Sequence, residues 1–216
     1  MNKSTKYLAL GFAFFVFSNF ACTQNKEQEQ TKQAVKETTA IASAKIADND
    51  QKQSDVDVSK VFLINSVEKN SEGKIPDFSW KEGDRIISFS QIAKNKVVFL
   101  NFWGTWCPPC RKEIPDIIQI HNELSNKNFV IIGIALERPN LNEQQAHSLV
   151  KDFAKLNKIP YTLVVNSAKN DLAQAFGGIP AVPTTYIIGK DGTIKEKIVG
   201  GRDKNSFMEA INKYLK

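Results

Sequence analysis

The chain has 216 residues, a formal charge of +6 and 42% hydrophobic residues. That length suits one domain of ordinary size with extensions. The positive excess is scattered lysine, with no basic stripe interleaved with aromatics, which argues against nucleic-acid binding. The three cysteines are Cys22, Cys107 and Cys110, an odd count that calls for an account of the odd one. A structural zinc site needs four ligands, and only His121 and His147 could join the Cys107/Cys110 pair. Both histidines lie in polar helical stretches and read as surface residues, so neither a metal nor a cofactor is expected.

Residues 1–21 read as a signal peptide. Lys3 and Lys6 form a charged start, and the apolar run Tyr7 to Phe17 is too short to span a bilayer comfortably. Ala21 before Cys22 resembles the lipobox of bacterial lipoproteins, in which the cysteine becomes the lipidated first residue of the mature chain. Asn19 and Phe20 depart from the usual pattern there. The alternative is an ordinary cleavable signal with an incidental cysteine. Lipidation accounts for the odd cysteine, because a bare thiol in an oxidising compartment is a liability. The expected location is the cell envelope, with a membrane-anchored lipoprotein facing the periplasm or the outside of the cytoplasmic membrane.

After Cys22, the stretch to residue 60 contains no aromatic, Gly or Pro and is dominated by Gln, Lys, Thr, Glu, Asp, Ala and Ser. Such a composition buries too little apolar area to offset the entropy of ordering, and predicts a disordered tether. A flexible chain of this size reaches about 35 Å.

Residues 61–74 read as an edge strand, Val61 to Asn65, and a polar turn through Ser71-Glu72-Gly73. From Ile75 onward the pattern predicts a β-hairpin over Ile75 to Trp80 and Ile86 to Phe89, turning at Glu82-Gly83-Asp84. A short helix over Ser90 to Ala93 and a buried strand over Val97 to Phe102 follow. A helix from Pro108 to about Asn126 is expected to kink at Pro115, which removes an interior hydrogen bond. Phe129 to Leu136 and Tyr161 to Val165 read as strands, with an amphipathic helix over Asn142 to Leu156 between them. A short helix over Asp171 to Phe176 leads to a hairpin over Thr184 to Ile188 and Thr193 to Val199. Ser206 to Leu215 forms the last helix. This order predicts an α/β fold with a mixed central sheet and helices on both faces.

The chemistry concentrates at Val97 to Cys110, where a strand ends in Gly104-Thr105-Trp106 and delivers two cysteines to the first turn of a helix. Thiols there feel the positive end of the helix dipole and unsatisfied backbone N–H groups, which favour the reactive thiolate. The pattern is that of a redox site.

Trp106-Cys107-Pro108-Pro109-Cys110 after a strand, Pro115 in the following helix, and Val182-Pro183-Thr184-Thr185 opening a later strand resemble the thioredoxin superfamily. More narrowly, the chain resembles membrane-associated ResA/TlpA-type thiol–disulfide oxidoreductases over roughly residues 75–216. The resemblance implies a thioredoxin-like fold with an added N-terminal β-hairpin. It implies that Cys107 is the exposed nucleophile and Cys110 the less exposed resolving thiol. It also implies a cis Pro183 facing the dithiol, which would turn the Val182 backbone toward a substrate strand. Only about 5–6% of X–Pro bonds are cis, so the resemblance carries that expectation.

Thioredoxins have a buried aspartate six residues before the first cysteine, where this chain has Asn101. Relatives of the narrower type place a glutamate after the next strand, and Glu137 stands at the matching position. A carboxylate near the dithiol can move the proton that accompanies exchange and would raise the cysteine pKa values. Trp106 is expected to shield Cys107, while Phe102 and Trp103 pack in the core.

The implied activity is reduction of protein disulfides, for example during cytochrome c maturation. The implied partners are protein thiols or disulfides such as apocytochrome c, a membrane electron donor of the thiol-relay type, and the membrane itself through the lipid anchor. Three alternatives remain open at this point. A disulfide-forming oxidant is not excluded by sequence. A non-catalytic thioredoxin-like binding lipoprotein would use the cysteine pair as a stable crosslink. A peroxiredoxin-type peroxidase shares the fold and the opening Pro76-Asp77-Phe78, but the Pro-x-x-x-Thr-x-x-Cys context it needs is absent.

Overall fold

The fold is seen in a computed structural model, which describes residues 60–68, 75–169 and 171–216. The expected signal peptide, Cys22, the expected tether up to residue 59 and the Ser71-Glu72-Gly73 turn lie outside the described residues.

An eight-stranded sheet runs in the order β3-β2-β1-β6-β5-β4-β7-β8. Its strands are β1 (Val61–Glu68), β2 (Asp77–Glu82), β3 (Arg85–Ser88), β4 (Val97–Trp103), β5 (Phe129–Ala135), β6 (Thr162–Val165), β7 (Thr184–Ile188) and β8 (Ile194–Val199). The helices are α1 (Phe89–Ala93), α2 (Pro108–Leu124), α3 (Glu143–Leu156), α4 (Leu172–Ala175) and α5 (Lys204–Leu215). β4 pairs parallel with β5 on one side and antiparallel with β7 on the other. That double pairing explains why all seven β4 residues are buried and why the strand reads as a continuous hydrophobic run.

The period-2 alternation of β4 sends its side chains into two separate cores. Val97, Phe99 and Trp103 pack under α2, α3 and α5, which contribute Ile117, Val150 and Phe207 among others. Val98, Leu100 and Phe102 meet Phe89 of α1 and Leu172 of α4 on the other face. Helices therefore cover both faces of a mixed sheet. The ring of Phe99 meets Phe207 edge-on at 4.9 Å, seating the last helix beneath the central strand.

Helix starts are set by side-chain caps. Ser88 with Gln91 and Asn142 with Gln145 each form a reciprocal capping box. Asp171 and Asp203 cap α4 and α5. Pro115 is accommodated inside an unbroken α2.

Two expectations need correction. β1 is no edge strand: it pairs parallel with β6 through Val61, Phe62 and Leu63, and antiparallel with β2 from Ile64 onward. An irregularity between Ile64 and Ser66 marks the point where its register on β2 shifts. The strand's pattern of buried and half-buried residues fits an interior place, with Val61 and Ile64 in different cores. The histidines are also not surface residues. His147 Nε2 lies 2.9 Å from the Val61 carbonyl and ties α3 to β1. His121 is half-buried beside Tyr161, and burial, with Lys60 nearby, lowers its pKa.

Candidate active site

The polypeptide leaves β4 at Trp103 and makes a tight turn through Gly104 and Thr105. Glu137, just past β5, holds this turn: its carboxylate accepts the Thr105 N–H at 2.9 Å and the Thr105 hydroxyl at 2.8 Å. Next in the turn, Trp106 donates its indole N–H to the Leu136 carbonyl at 2.9 Å. Gly104 is required for that closeness, since a Cβ there would stand 2.6 Å from the Trp106 indole nitrogen and 2.9 Å from the Leu136 carbonyl oxygen. Trp106 is pinned by its nitrogen but leaves 42% of its surface in solvent. The Arg138 guanidinium lies 5.8 Å from its ring centre.

Cys107 is the N-cap of α2, and its sulfur accepts the Cys110 N–H at 3.2 Å. The two cysteines are joined as a disulfide. No acidic residue stands in the first turn of α2, so nothing there opposes negative charge on Cys107 once the bond is reduced. The expected exposure of Cys107 needs correction, because it retains only 2% of its surface and Cys110 none. Cys107 stands ahead of the helix as its N-cap, whereas Cys110 lies inside the first turn. Burial of Cys107 arises because the loop before β7 packs against it. The Val182–Pro183 bond is cis, and the Val182 carbonyl oxygen lies 3.6 Å from Cys107 Sγ. In the disulfide form no proton bridges this contact. In the dithiol form the Cys107 S–H could donate to it.

The sequence-predicted residues Cys107, Cys110, Trp106, Val182 and Pro183 therefore converge at one end of β4 and β7. Glu137 is brought to the same loop, but both its oxygens serve the Thr105 turn and none of its hydrogen bonds reaches a cysteine.

A second carboxylate, which sequence reasoning missed, occupies the interior. Glu113 lies one helical turn beyond Cys110 and is 3% exposed. Its Oε1 accepts the Asn101 side-chain N–H at 3.0 Å, and its Oε2 faces the Arg202 backbone N–H at 3.4 Å. Burial pushes its pKa up to about 7, although Asn101 and Arg202 pull in the opposite direction. Asn101 also donates to the Thr185 hydroxyl at 3.0 Å. A signal for Glu113 was available: Cys110, Ile114, Ile117, Ile120 and Leu124 form the buried stripe of α2, and Glu113 falls on it. Beside it, a cavity of about 550 Å³ opens between Pro108, Pro109, Lys112 and the Gly201-Arg202 loop.

Chemically, the arrangement can exchange one disulfide for another. It offers a nearly buried reactive sulfur at a helix start, a fully buried second sulfur, and a carboxyl group that titrates near neutrality one turn away.

Comparisons with known proteins bear on this chemistry. A family model described as AhpC/TSA family matches residues 72–197. The thiol-disulfide oxidoreductase ResA of Bacillus thuringiensis subsp. konkukian is 32% identical over 120 residues, which cover 56% of this chain and 64% of that protein. The chain thus spans just under two thirds of that relative's length. The thioredoxin-like protein YneN of Bacillus subtilis is 30% identical over 137 residues, covering 63% of this chain and 76% of YneN. Among solved structures, a thiol:disulfide interchange protein of the thioredoxin family from Chlorobium tepidum TLS matches with a TM-score of 0.55 and 31% identity. That match covers 68% of this chain and 99% of the solved one.

Proposed function

The chain belongs to the AhpC/TSA family, and we propose that it is an extracytoplasmic thiol–disulfide oxidoreductase that reduces protein disulfides through Cys107 and Cys110. The observation that carries this reading is the disulfide at the start of α2, with the Cys110 N–H aimed at Cys107 Sγ. The ResA relative and the solved neighbour, whose names state thiol–disulfide chemistry, support it.

In the reducing direction, the Cys107 thiolate attacks one sulfur of a substrate disulfide, and the other substrate sulfur leaves as a thiolate. The Cys110 thiol then loses its proton and attacks Cys107 Sγ, breaking the mixed disulfide and releasing the second substrate thiolate. The substrate gains two electrons and the dithiol loses two. Glu113, with its pKa near 7, is the group matched to take the Cys110 proton at neutral pH. That role, expected of Glu137, passes to Glu113; Glu137 is left to fix the turn that carries Trp106 and Cys107. Trp106, Val182 and Pro183 line the approach to Cys107 and receive the substrate strand.

The signal peptide, Cys22 and the tether support a lipoprotein held at the membrane, with the catalytic domain free to reach partners near the surface. Among the described residues no helix is long and apolar enough to cross a membrane. Apocytochrome c is the substrate we favour, with a membrane thiol relay restoring the dithiol. Peroxidase chemistry is not proposed, because Leu100 to Cys107 lacks the Pro-x-x-x-Thr-x-x-Cys context, with Leu100 at the proline position and Gly104 at the threonine position.

The reduced protein is expected to cleave the interchain disulfides of insulin, read as turbidity when the freed chain precipitates. An inert protein contradicts the proposal. A reduction potential below about −250 mV supports the reducing direction, and one near about −120 mV assigns it to the oxidants.

A further inference from the structure

Asn101 holds a position with only one kind of chemistry open to it. It is 4% exposed in the middle of β4, and its amide nitrogen is within 3.0 Å of both Glu113 Oε1 and Thr185 Oγ1. An amide nitrogen carries two hydrogens, and here each has its own acceptor. One acceptor lies on α2, the helix that carries the dithiol. The other lies on β7, two residues after the cis Val182–Pro183 bond. Neither hydrogen is left over, and Asn101 cannot ionise.

We propose that Asn101 is a positioning residue for disulfide exchange: its amide clamps the Glu113 carboxyl with one hydrogen and the Thr185 hydroxyl with the other, so that a single buried acid serves Cys110. The proposal rests on the exchange reading given above. Replacing Asn101 with an acid would set two carboxyl groups about 3 Å apart in a buried site, where both cannot be ionised together. Removing the side chain would take away the only side-chain donor that Glu113 has among the described residues. In either case the ionised form of Glu113 becomes harder to maintain. The other groups near Glu113 do not replace this donor. Arg202 acts from the loop before α5 through its backbone N–H and its charge. Asp116 on α2 repels the carboxylate. Tyr161, before β6, is buried, and burial keeps its hydroxyl neutral.

The test titrates Glu113 directly, by NMR of the carboxyl carbon in glutamate-labelled protein, and measures the pH profile of insulin reduction on the same samples. Asn101→Asp is expected to raise the Glu113 midpoint by about one pH unit or more, with the rate inflection moving alongside it. Asn101→Ala is expected to shift both in the same direction by a smaller amount. If Asn101 only fills space, both variants lose stability while the midpoint and the inflection stay where they are, and the proposal is overturned. Should Asn101→Ala fail to fold, Asn101→Asp is nearly isosteric and decides alone. If the native protein reduces no disulfide, the exchange reading fails by itself, whereas an unmoved carboxyl midpoint overturns the clamp.

Discussion

Cys107→Ser is expected to lower disulfide reduction on the order of 10³-fold or more, whereas Cys110→Ser keeps the first attack and stalls after it. The asymmetry follows from the cap of α2. Cys107 Sγ receives the Cys110 N–H at 3.2 Å and sits at the positive end of a 17-residue helix. A serine in its place presents a hydroxyl that stays protonated at neutral pH and cannot form the mixed disulfide. Cys110, fully buried, can attack only a sulfur already delivered to it. Stopped-flow reduction of a fluorescent peptide disulfide separates the two variants: no fast phase with Cys107→Ser, and one stoichiometric phase without turnover with Cys110→Ser. Equal rates for the two variants would remove the assignment.

Glu113→Gln should change both stability and rate, in opposite directions. The native carboxyl has a pKa of about 7 against 4.5 for the free group. Folding therefore favours its protonated form. The stability this contributes is fully present below about pH 4.5 and is lost as pH rises through about 7. A shift of this size is worth on the order of 3 kcal/mol, since one pKa unit corresponds to about 1.4 kcal/mol. Glutamine carries no charge to bury, and its carbonyl can still accept from Asn101. It gives up the 3.4 Å contact with the Arg202 N–H. The variant should therefore be more stable than the native protein at pH 8 by about 2 kcal/mol, and its urea midpoint should lose the fall through pH 7 that Glu113 causes. On the proposed role of Glu113 as proton acceptor for Cys110, the same substitution should lower turnover at pH 7 on the order of 10²-fold. A variant that is destabilised at pH 8 and fully active would contradict both halves of this account. Buried acids of this kind trade stability for function.

The cysteine pair was legible because its chemistry is local: two thiols, a helix start and the strand before it lie within fourteen residues of sequence. The strands and helices were legible for the same reason, since Val97–Trp103 and Phe129–Ala135 announce burial on both faces by composition alone. Which strands lie side by side is not local information. Val61–Glu68 shows the same pattern whether or not a second neighbour covers it, and only the fold puts β6 on its other side. The cis bond at Pro183 could be expected from a resemblance, and from nothing in the residues around it.

Glu113 and Glu137 illustrate the harder case. In sequence, Glu113 closes the charged run Arg111-Lys112-Glu113, while Glu137 follows a strand and reads as the acid near the dithiol. In the fold, the helical stripe rotates Glu113 inward to Asn101, and the Thr105 turn draws Glu137 to its N–H and hydroxyl. Charge type was visible for both, but direction was set by tertiary partners 12 and 32 residues away. His147 went the same way, since its Val61 partner is 86 residues distant.

The most direct measurement is capture of the intermediate. Cys110→Ser, reduced and mixed with an excess of a peptide disulfide, should carry one peptide as a mass adduct that maps to Cys107 after digestion and is released by dithiothreitol. An adduct that maps to Cys22 and not to Cys107, or no adduct while the native protein remains active, would contradict exchange through Cys107.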